Sequence, residues 1–446
     1  MEEKINIQEY MTAGVENLIK NAVKVTLTNP AQSLFMARFA MAVKAASKKR
    51  LAAEKEGEHI PAFLIASITS SCNLHCAGCY ARAVHSCADT EPVAQLSAEE
   101  WDHIFEQAEK MGISFILLAG GEPMLRWDVI EKAGNRQNIL FLIFTNGTLI
   151  DDTYIKMLKK YRNLLPIFSM EGKEKHTDVR RGEGVYEKVL SAMGKMQKEK
   201  LLFGSSVTVT KENLEEVTSD TFIKKLEERD CKALFFVEFV PMSPEMKDLA
   251  PEEPERAYMN QRLAEIRDKY QDMIFLSFPG DEKASGGCIA AGRGFFHINS
   301  HGGAESCPFS PYSDVNVKDT SLKAALHSRL FTELQNSGTL TEDHVGGCIS
   351  GKFQDVMHLI VTMAVVMLSI ASLLFIVYGG LIQKECPSLG KWALTALAMM
   401  IAGAVGTAVL PHDYFGIPER FSVFAASGFT AVLGIYMNMG WKGKRC

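Results

Sequence analysis

At 446 residues the chain is long enough for a domain of barrel size and further structure besides. A formal charge of −5 leaves no strongly basic domain, which argues against a nucleic-acid partner. Ten cysteines are too sparse for a disulfide-stapled secreted scaffold, and residues 1–20 lack the basic start and apolar core of an export signal, so metal ligation in a reducing compartment is expected.

Residues 1–58 read as an N-terminal helical segment. Val15 to Val25 has apolar positions at helical spacing, and Ser33 to Ala53 is rich in alanine, with Arg38, Lys44, Lys48, Lys49 and Arg50. Two readings stay open for it: a basic amphipathic helix on an anionic membrane, or a cap packed on the edge of the next domain. Residues 59–245 alternate short β-rich runs with helical patterns. Strands are expected at Phe63 to Ile68, Phe115 to Leu118, Ile139 to Thr145, Leu165 to Ser169, Ser205 to Val209 and Leu234 to Phe239. Helices are expected near 97–111, 126–134, 152–162, 185–199 and 213–229. Six strands with helical crossovers favour a parallel sheet, either a partial barrel or an open doubly wound sheet, with ligands at the C-terminal strand ends.

Directly after the first strand comes Cys72-Asn73-Leu74-His75-Cys76-Ala77-Gly78-Cys79, a C-x3-C-x2-C spacing. Three thiolates this close can hold three irons of a cubane cluster and leave the fourth iron without a protein ligand. A closed electron-transfer cluster takes a fourth cysteine, and a structural zinc site is closed too, usually as two separated pairs. Buried or zinc-binding cysteines are the competing reading.

The arrangement resembles the radical S-adenosylmethionine (radical SAM) superfamily. The resemblance implies a partial (β/α)6 barrel and a [4Fe-4S] cluster at Cys72, Cys76 and Cys79 whose open iron chelates SAM. One electron from a donor such as flavodoxin or ferredoxin then cleaves the sulfonium to a 5'-deoxyadenosyl radical. Gly120-Gly121-Glu122-Pro123 matches the family's GGEP motif, which implies that this loop receives the SAM amino group. Asn146, in the turn after the third strand, is a candidate ribose or adenine contact. Ser169-Met170-Glu171-Gly172 looks like the family's S-x-D-G element with glutamate in place of aspartate, so Ser169 joins the SAM candidates. Arg180 or Arg181 either salt-bridges the SAM carboxylate or faces solvent. Cys87 reads as a free or buried thiol, because a fourth protein ligand abolishes SAM chelation, and Cys231 reads as core.

Residues 246–354 form a second region, expected as a small α+β domain. Cys288, Gly302 and Cys307 are spaced C-x13-G-x4-C across a stretch that reads as a β-hairpin, and Cys348 lies further on. The region resembles the SPASM extension, or its shorter relative called twitch, and this implies one auxiliary iron-sulfur cluster on Cys288, Cys307 and Cys348. A hairpin domain with incidental cysteines is the alternative.

Residues 355–446 carry three runs without Asp, Glu, Lys or Arg: Val356 to Ile382, Trp392 to Leu410 and Phe421 to Met439. They are expected as two to three transmembrane helices, which makes the protein a multi-pass cell-membrane enzyme with its catalytic part facing the cytoplasm. By the family analogy the substrate is a peptide or protein side chain. A small membrane-associated or tetrapyrrole-like metabolite is the alternative, and an iron-sulfur electron-transfer membrane protein that never turns over SAM is the reading from a different class.

Overall fold

A computed structural model describes residues 23, 30–87, 94–281, 286–341, 367–384, 386–409, 425 and 428–437, with the backbone alone for 244, 341 and 403–409. The chain divides into two compact units, Met1–Gly351 and Lys352–Cys446.

The first unit is built on one sheet in the order β7-β6-β5-β4-β3-β2-β1-β8-β9. The strands are β1 (Phe63–Thr69), β2 (Phe115–Gly120), β3 (Leu140–Thr145), β4 (Leu164–Met170), β5 (Gly204–Val209), β6 (Ala233–Glu238), β7 (Ile274–Phe278), β8 (Phe295–Ile298) and β9 (Ala304–Glu305). Pairing is parallel from β7 through β8, and β9 closes an antiparallel hairpin on β8. The sheet curls. Phe278 of β7 and Phe295 of β8, at opposite sides of the strand order, bring their rings to 6.1 Å.

Each of the six expected strands forms where its apolar run lies. Alternation explains the burial: Leu64, Ala66, Ile116 and Leu118 are fully buried under the crossover helices, whereas Ile65, Leu117, Phe144 and Phe235 face a cavity inside the sheet and are half-buried. The helices behave as their signals suggest. Ser97 opens the helix Ala98–Met111 with a capping box to Glu100, and Gly112 ends it in the left-handed conformation. The stretch expected as one helix at 213–229 is two, Leu214–Val217 and Asp220–Glu227, because Ser219 takes an extended conformation and caps the second.

The N-terminal helix α1 (Pro30–Lys55) is the cap rather than a membrane-lying element. Phe35, Met36, Phe39 and Val43 pack on Ala62, Phe115, Leu140 and Leu165, at the N-terminal ends of the strands. Arg50 is fully buried and donates to the Gly112 carbonyl, to Ser114 Oγ at 3.3 Å and to Ser47 Oγ at 3.0 Å.

The transmembrane expectation is corrected by the second unit. Among the described residues no helix is long and apolar enough to cross a membrane. Of the run from Val356, residues 356–366 lie outside the described residues, and the helix at 367–377 passes into a π-turn at Tyr378–Ile382. Of the third run, only Ala425 and residues 428–437 are among the described residues. In the helix Pro387–Val409, Ala393, Ala396, Leu397 and Met400 form a small core with Leu373 and Ala425, while Trp392, Leu394 and Ile401 are exposed. The placement in the cell membrane, and the membrane as a partner, lose their basis with the spans.

Candidate active site

Every candidate motif leaves the C-terminal end of a strand of the first unit: the cysteine loop after β1, Gly121-Glu122 after β2, Asn146 after β3, Glu171 after β4. They meet on one cavity of about 1180 Å³. Its wall includes Cys72, Cys76 and Cys79, and all six residues expected to contact SAM: Gly120, Gly121, Glu122, Asn146, Ser169 and Arg180.

The glycines are required by close approach. Gly120 has φ +114°, and a Cβ there falls 2.2 Å from the Thr69 carbonyl oxygen; at Gly121 it falls 2.0 Å from that of Ser71. The Gly121 N–H donates to the Thr69 carbonyl and the Glu122 N–H to that of Ser71, both at 2.8 Å, which seats this loop against the start of the cysteine loop.

Glu122 is buried, and its carboxylate accepts from the Met124 N–H (3.0 Å), the Thr145 hydroxyl (2.7 Å) and the Asn146 N–H (2.8 Å). It therefore ties the ends of β2 and β3 together. Burial pushes its pKa up, against those three bonds. The Asn146 side chain donates to Asn73 Oδ1 at 2.8 Å and accepts from Thr148, so it links the turn after β3 to the cysteine loop. Ser169 Oγ lies 3.2 Å from Ser206 Oγ.

Glu171 is the hub of a buried ion network. It accepts from Arg180 at 2.7 Å and from Arg181 at 2.6 and 2.7 Å. Burial alone pushes its carboxyl up, but Arg181 and Arg180 outweigh burial and hold it below the usual range. Both arginines thus face inward rather than toward solvent, and glutamate in place of aspartate reaches both. Arg180 also donates to Thr208 Oγ1 at 2.9 Å.

The three thiols are half-buried. Cys72 is pushed up in pKa first by a side-chain hydrogen bond with buried Cys87 and then by burial. Cys76 is pushed up by burial, opposed by Arg181 and Arg180. Iron holds such ligands as thiolates outright, and two cations beside them suit an anionic cluster. Among the described residues no three His, Cys, Asp or Glu side chains converge closely enough to hold a metal ion; it is the thiol chemistry and the spacing of Cys72, Cys76 and Cys79, with two arginines beside them, that suit a [4Fe-4S] cluster with SAM.

Cys288 and Cys307 belong to one apolar cluster with Ala290, Phe295 and Phe309. Cys348 lies outside the described residues. Tyr80, next to Cys79, packs its ring at a tilt of 56° against that of Phe309, 4.9 Å away. Its phenol is pushed up by burial and then by the thiols of Cys79, Cys307 and Cys87, so both cysteine regions border one tyrosine. Sequence reasoning missed the bond of Thr145 to Glu122, that of Asn146 to Asn73 and the contact of Cys87 with Cys72. Each is a pairing across loops, for which the local pattern carries no signal.

A sequence profile of the radical SAM superfamily matches residues 66–220. An AdoMet-dependent heme synthase of Methanosarcina barkeri is 26% identical over 284 residues, 58% of this chain and 80% of that protein. A PqqA peptide cyclase of Rhizobium meliloti is 24% identical over 282 residues, 59% of this chain and 73% of that protein. Among solved structures, Streptococcus suis SuiB bound to its precursor peptide SuiA superimposes with TM-score 0.54 at 17% identity, over 72% of this chain and 77% of that one.

Proposed function

Because this chain is a radical SAM enzyme, one that works with a [4Fe-4S] cluster and S-adenosylmethionine, we propose that Cys72, Cys76 and Cys79 hold the cluster and that the substrate is a peptide presenting an apolar side chain to the cavity they border. When bound, these groups supply a 5'-deoxyadenosyl radical, made by one-electron cleavage of the SAM sulfonium, which removes a hydrogen atom from the substrate.

The protein's own part is placement and exclusion of water. Gly120 and Gly121 let their loop seat on the Thr69 and Ser71 backbone beside the cysteines, and Glu122 keeps that loop on β3. Arg180, oriented by Glu171, presents a cation for the SAM carboxylate. The apolar wall of Ile65, Leu117, Phe144 and Phe235 keeps the reacting groups dry. By the same reading, Cys288, Cys307 and Cys348 hold one auxiliary cluster.

The observation that carries the substrate class is the charge state of the wall. Among the described residues the cavity carries four cations, Arg180, Arg181, Lys232 and Arg267, and each already has a carboxylate partner: Glu171 for the first two, Asp230 for Lys232 and Asp281 for Arg267. An uncharged apolar group is the better occupant. The peptide named for the cyclase and the peptide bound to SuiB support that choice. A tetrapyrrole is the second reading, favoured by the heme synthase of which this chain covers 80%. Its propionates need charge beyond the single net positive of the Glu171, Arg180 and Arg181 trio, which the SAM carboxylate takes.

The test is anaerobic reconstitution of the full chain with iron and sulfide, followed by dithionite, SAM and either apolar peptides deuterated at their side chains or an iron porphyrin. Deuterium in 5'-deoxyadenosine from a peptide, lost in Cys76→Ala, supports the proposal. Turnover of the porphyrin alone selects the second reading. About eight irons per chain support the auxiliary cluster, and about four reject it.

A further inference from the structure

A buried hydrogen-bonded chain joins the strand that feeds the first cysteine loop to the hairpin that leads to Cys307. The Ser67 hydroxyl of β1 lies 2.7 Å from Nε2 of His297 on β8, and Nδ1 of that ring lies 2.7 Å from Glu305 Oε2 on β9. Glu305 Oε1 accepts from Asn299 Nδ2 at 2.6 Å, and Asn299 Oδ1 in turn accepts from the N–H groups of His301 and Gly303. Ser67, His297 and Glu305 are 7%, 2% and 4% exposed. Beside a carboxylate, Nδ1 carries the proton and donates it, so Nε2 accepts from the Ser67 hydroxyl. Every polar atom of the chain is matched, as a buried network requires.

The order Ser-His-Glu is that of a nucleophile relay. Burial argues against that use, and neither Ser67 nor His297 belongs to the cavity wall among the described residues. The place of Ser67 in β1 points elsewhere. The pairing of β1 with β2 shifts register between Ser67 and Thr69, so the strand carries a bulge there. A bulge bends the strand and re-aims the residues beyond it. Those residues are Ser70, Ser71 and Cys72. The same backbone receives the glycine loop, through the Thr69 and Ser71 carbonyls, and a Cβ at Gly120 comes within 3.3 Å of Ser67 Cα. An error in the bulge is therefore passed both to the cysteines and to the SAM loop.

We propose that His297 is a positioning residue for the cluster loop: reaching in from the Cys307 hairpin, it holds Ser67 and so fixes the bulge from which Cys72 to Cys79 and the Gly120 to Glu122 contact depart. The inference rests on the radical SAM reading of those cysteines. It gives the hairpin a mechanical connection to the first cluster that is independent of electron relay.

The experiment uses the full chain with Ser67→Ala, His297→Leu and His297→Gln. Readouts are the thermal melt before iron is added, iron bound on reconstitution, and the change that SAM makes in the EPR spectrum of the dithionite-reduced protein. Ser67→Ala and His297→Leu are expected to lower the fraction of chains with a SAM-responsive spectrum by about fivefold, the weight of one net hydrogen bond. His297→Gln, whose amide can still donate to Glu305 and accept from Ser67, is expected to keep at least about half of it. If His297→Leu shows no cooperative melt, Ser67→Ala, which lacks a single oxygen, decides alone. A wild-type SAM response in Ser67→Ala overturns the assignment, and so does an equal loss in His297→Gln and His297→Leu. A wild-type chain that binds iron yet shows no SAM response sinks the enzyme reading instead, whatever the variants do.

Discussion

The N–H of Ala77, between the second and third cysteines, donates to the carbonyl oxygen of Arg180 at 2.7 Å. The cysteine loop is thereby seated on the helix Glu174–Arg181, whose last two residues are the arginines that Glu171 gathers. Removing Glu171 leaves two largely buried guanidinium groups without their carboxylate. Glu171→Ala should lower unfolding stability by about 3–5 kcal/mol, the range for breaking a buried ion network. Glu171→Asp, one methylene shorter, should recover only part of it, since it cannot span both arginines. Denaturant titration of the iron-free chain gives the answer, and an Ala variant as stable as the wild type would remove the hub role.

The two buried carboxylates near the cavity should respond to pH with opposite signs. Burial raises the pKa of Glu122 above its unfolded value, so the native state binds the extra proton; its contribution is complete below the ordinary carboxylate value and is lost as pH rises through the raised one. For Glu171, burial pushes upward but Arg181 and Arg180 prevail, so its contribution is present above the ordinary value and lost as pH falls through the lowered one. Glu122→Gln should therefore gain stability relative to the wild type as pH is raised from about 4 toward neutrality. Urea midpoints taken across that window test the sign; a variant midpoint that falls relative to the wild type as pH rises contradicts it.

Gly121→Ala puts a methyl 2.0 Å from a backbone oxygen, that of Ser71, and no side-chain rotation relieves it. Either the glycine loop or the cysteine loop must move. The expected cost is about 1–3 kcal/mol of stability, together with loss of SAM binding measured by equilibrium dialysis on the iron-loaded chain. Gly194→Ala, inside the helix Val185–Lys198 where a Cβ meets nothing within 4 Å, is the control: it should leave SAM binding unchanged and raise stability by about 0.5–1 kcal/mol.

Much of this site was legible because its residues lie at strand ends, where a local apolar run fixes the strand and the next few residues must be the loop. Cys72 to Cys79, Gly120 to Glu122 and Asn146 all obey that rule. What the chain order hides is pairing across large separations. Nothing in Phe295 to Ile298 announces that β8 lies parallel to β1, 230 residues away for the pair Ser67 and His297. Strand β7, only five residues long after an acidic helix, also escaped a reading based on periodicity. The apolar runs near the C-terminus show the reverse failure: a run of uncharged residues fits a lipid-facing helix and a helix packed on its neighbours equally well. Ala393, Ala396 and Leu397 serve the second.

If the cavity receives the substrate, enlarging an inward residue should separate SAM cleavage from substrate modification. Leu117 on β2 faces the space from a half-buried position, clear of the glycine loop at the strand's end. Leu117→Trp should leave 5'-deoxyadenosine formation without substrate within about twofold and reduce deuterium transfer from substrate by about tenfold or more, since misplacing reacting atoms by an ångström costs rate steeply. Equal reduction of both would mean that Leu117 borders SAM rather than substrate.

Cys87 supplies the sharpest test of the open iron. It is buried, and its side chain shares a hydrogen bond with Cys72, close enough to be mistaken for a fourth ligand. A fourth thiolate would fill the coordination site that SAM needs, so the two roles exclude one another. Cys87→Ala should therefore bind as much iron as the wild type and keep the SAM-induced change in its EPR spectrum, whereas Cys72→Ala should lose the first cluster's share, about four irons, and the SAM-induced change with it. In the iron-free chain, Cys87→Ala also removes the largest cause of the raised Cys72 pKa, so alkylation of Cys72 at neutral pH should run faster than in the wild type. Loss of iron in Cys87→Ala would make it a ligand and close the site to SAM.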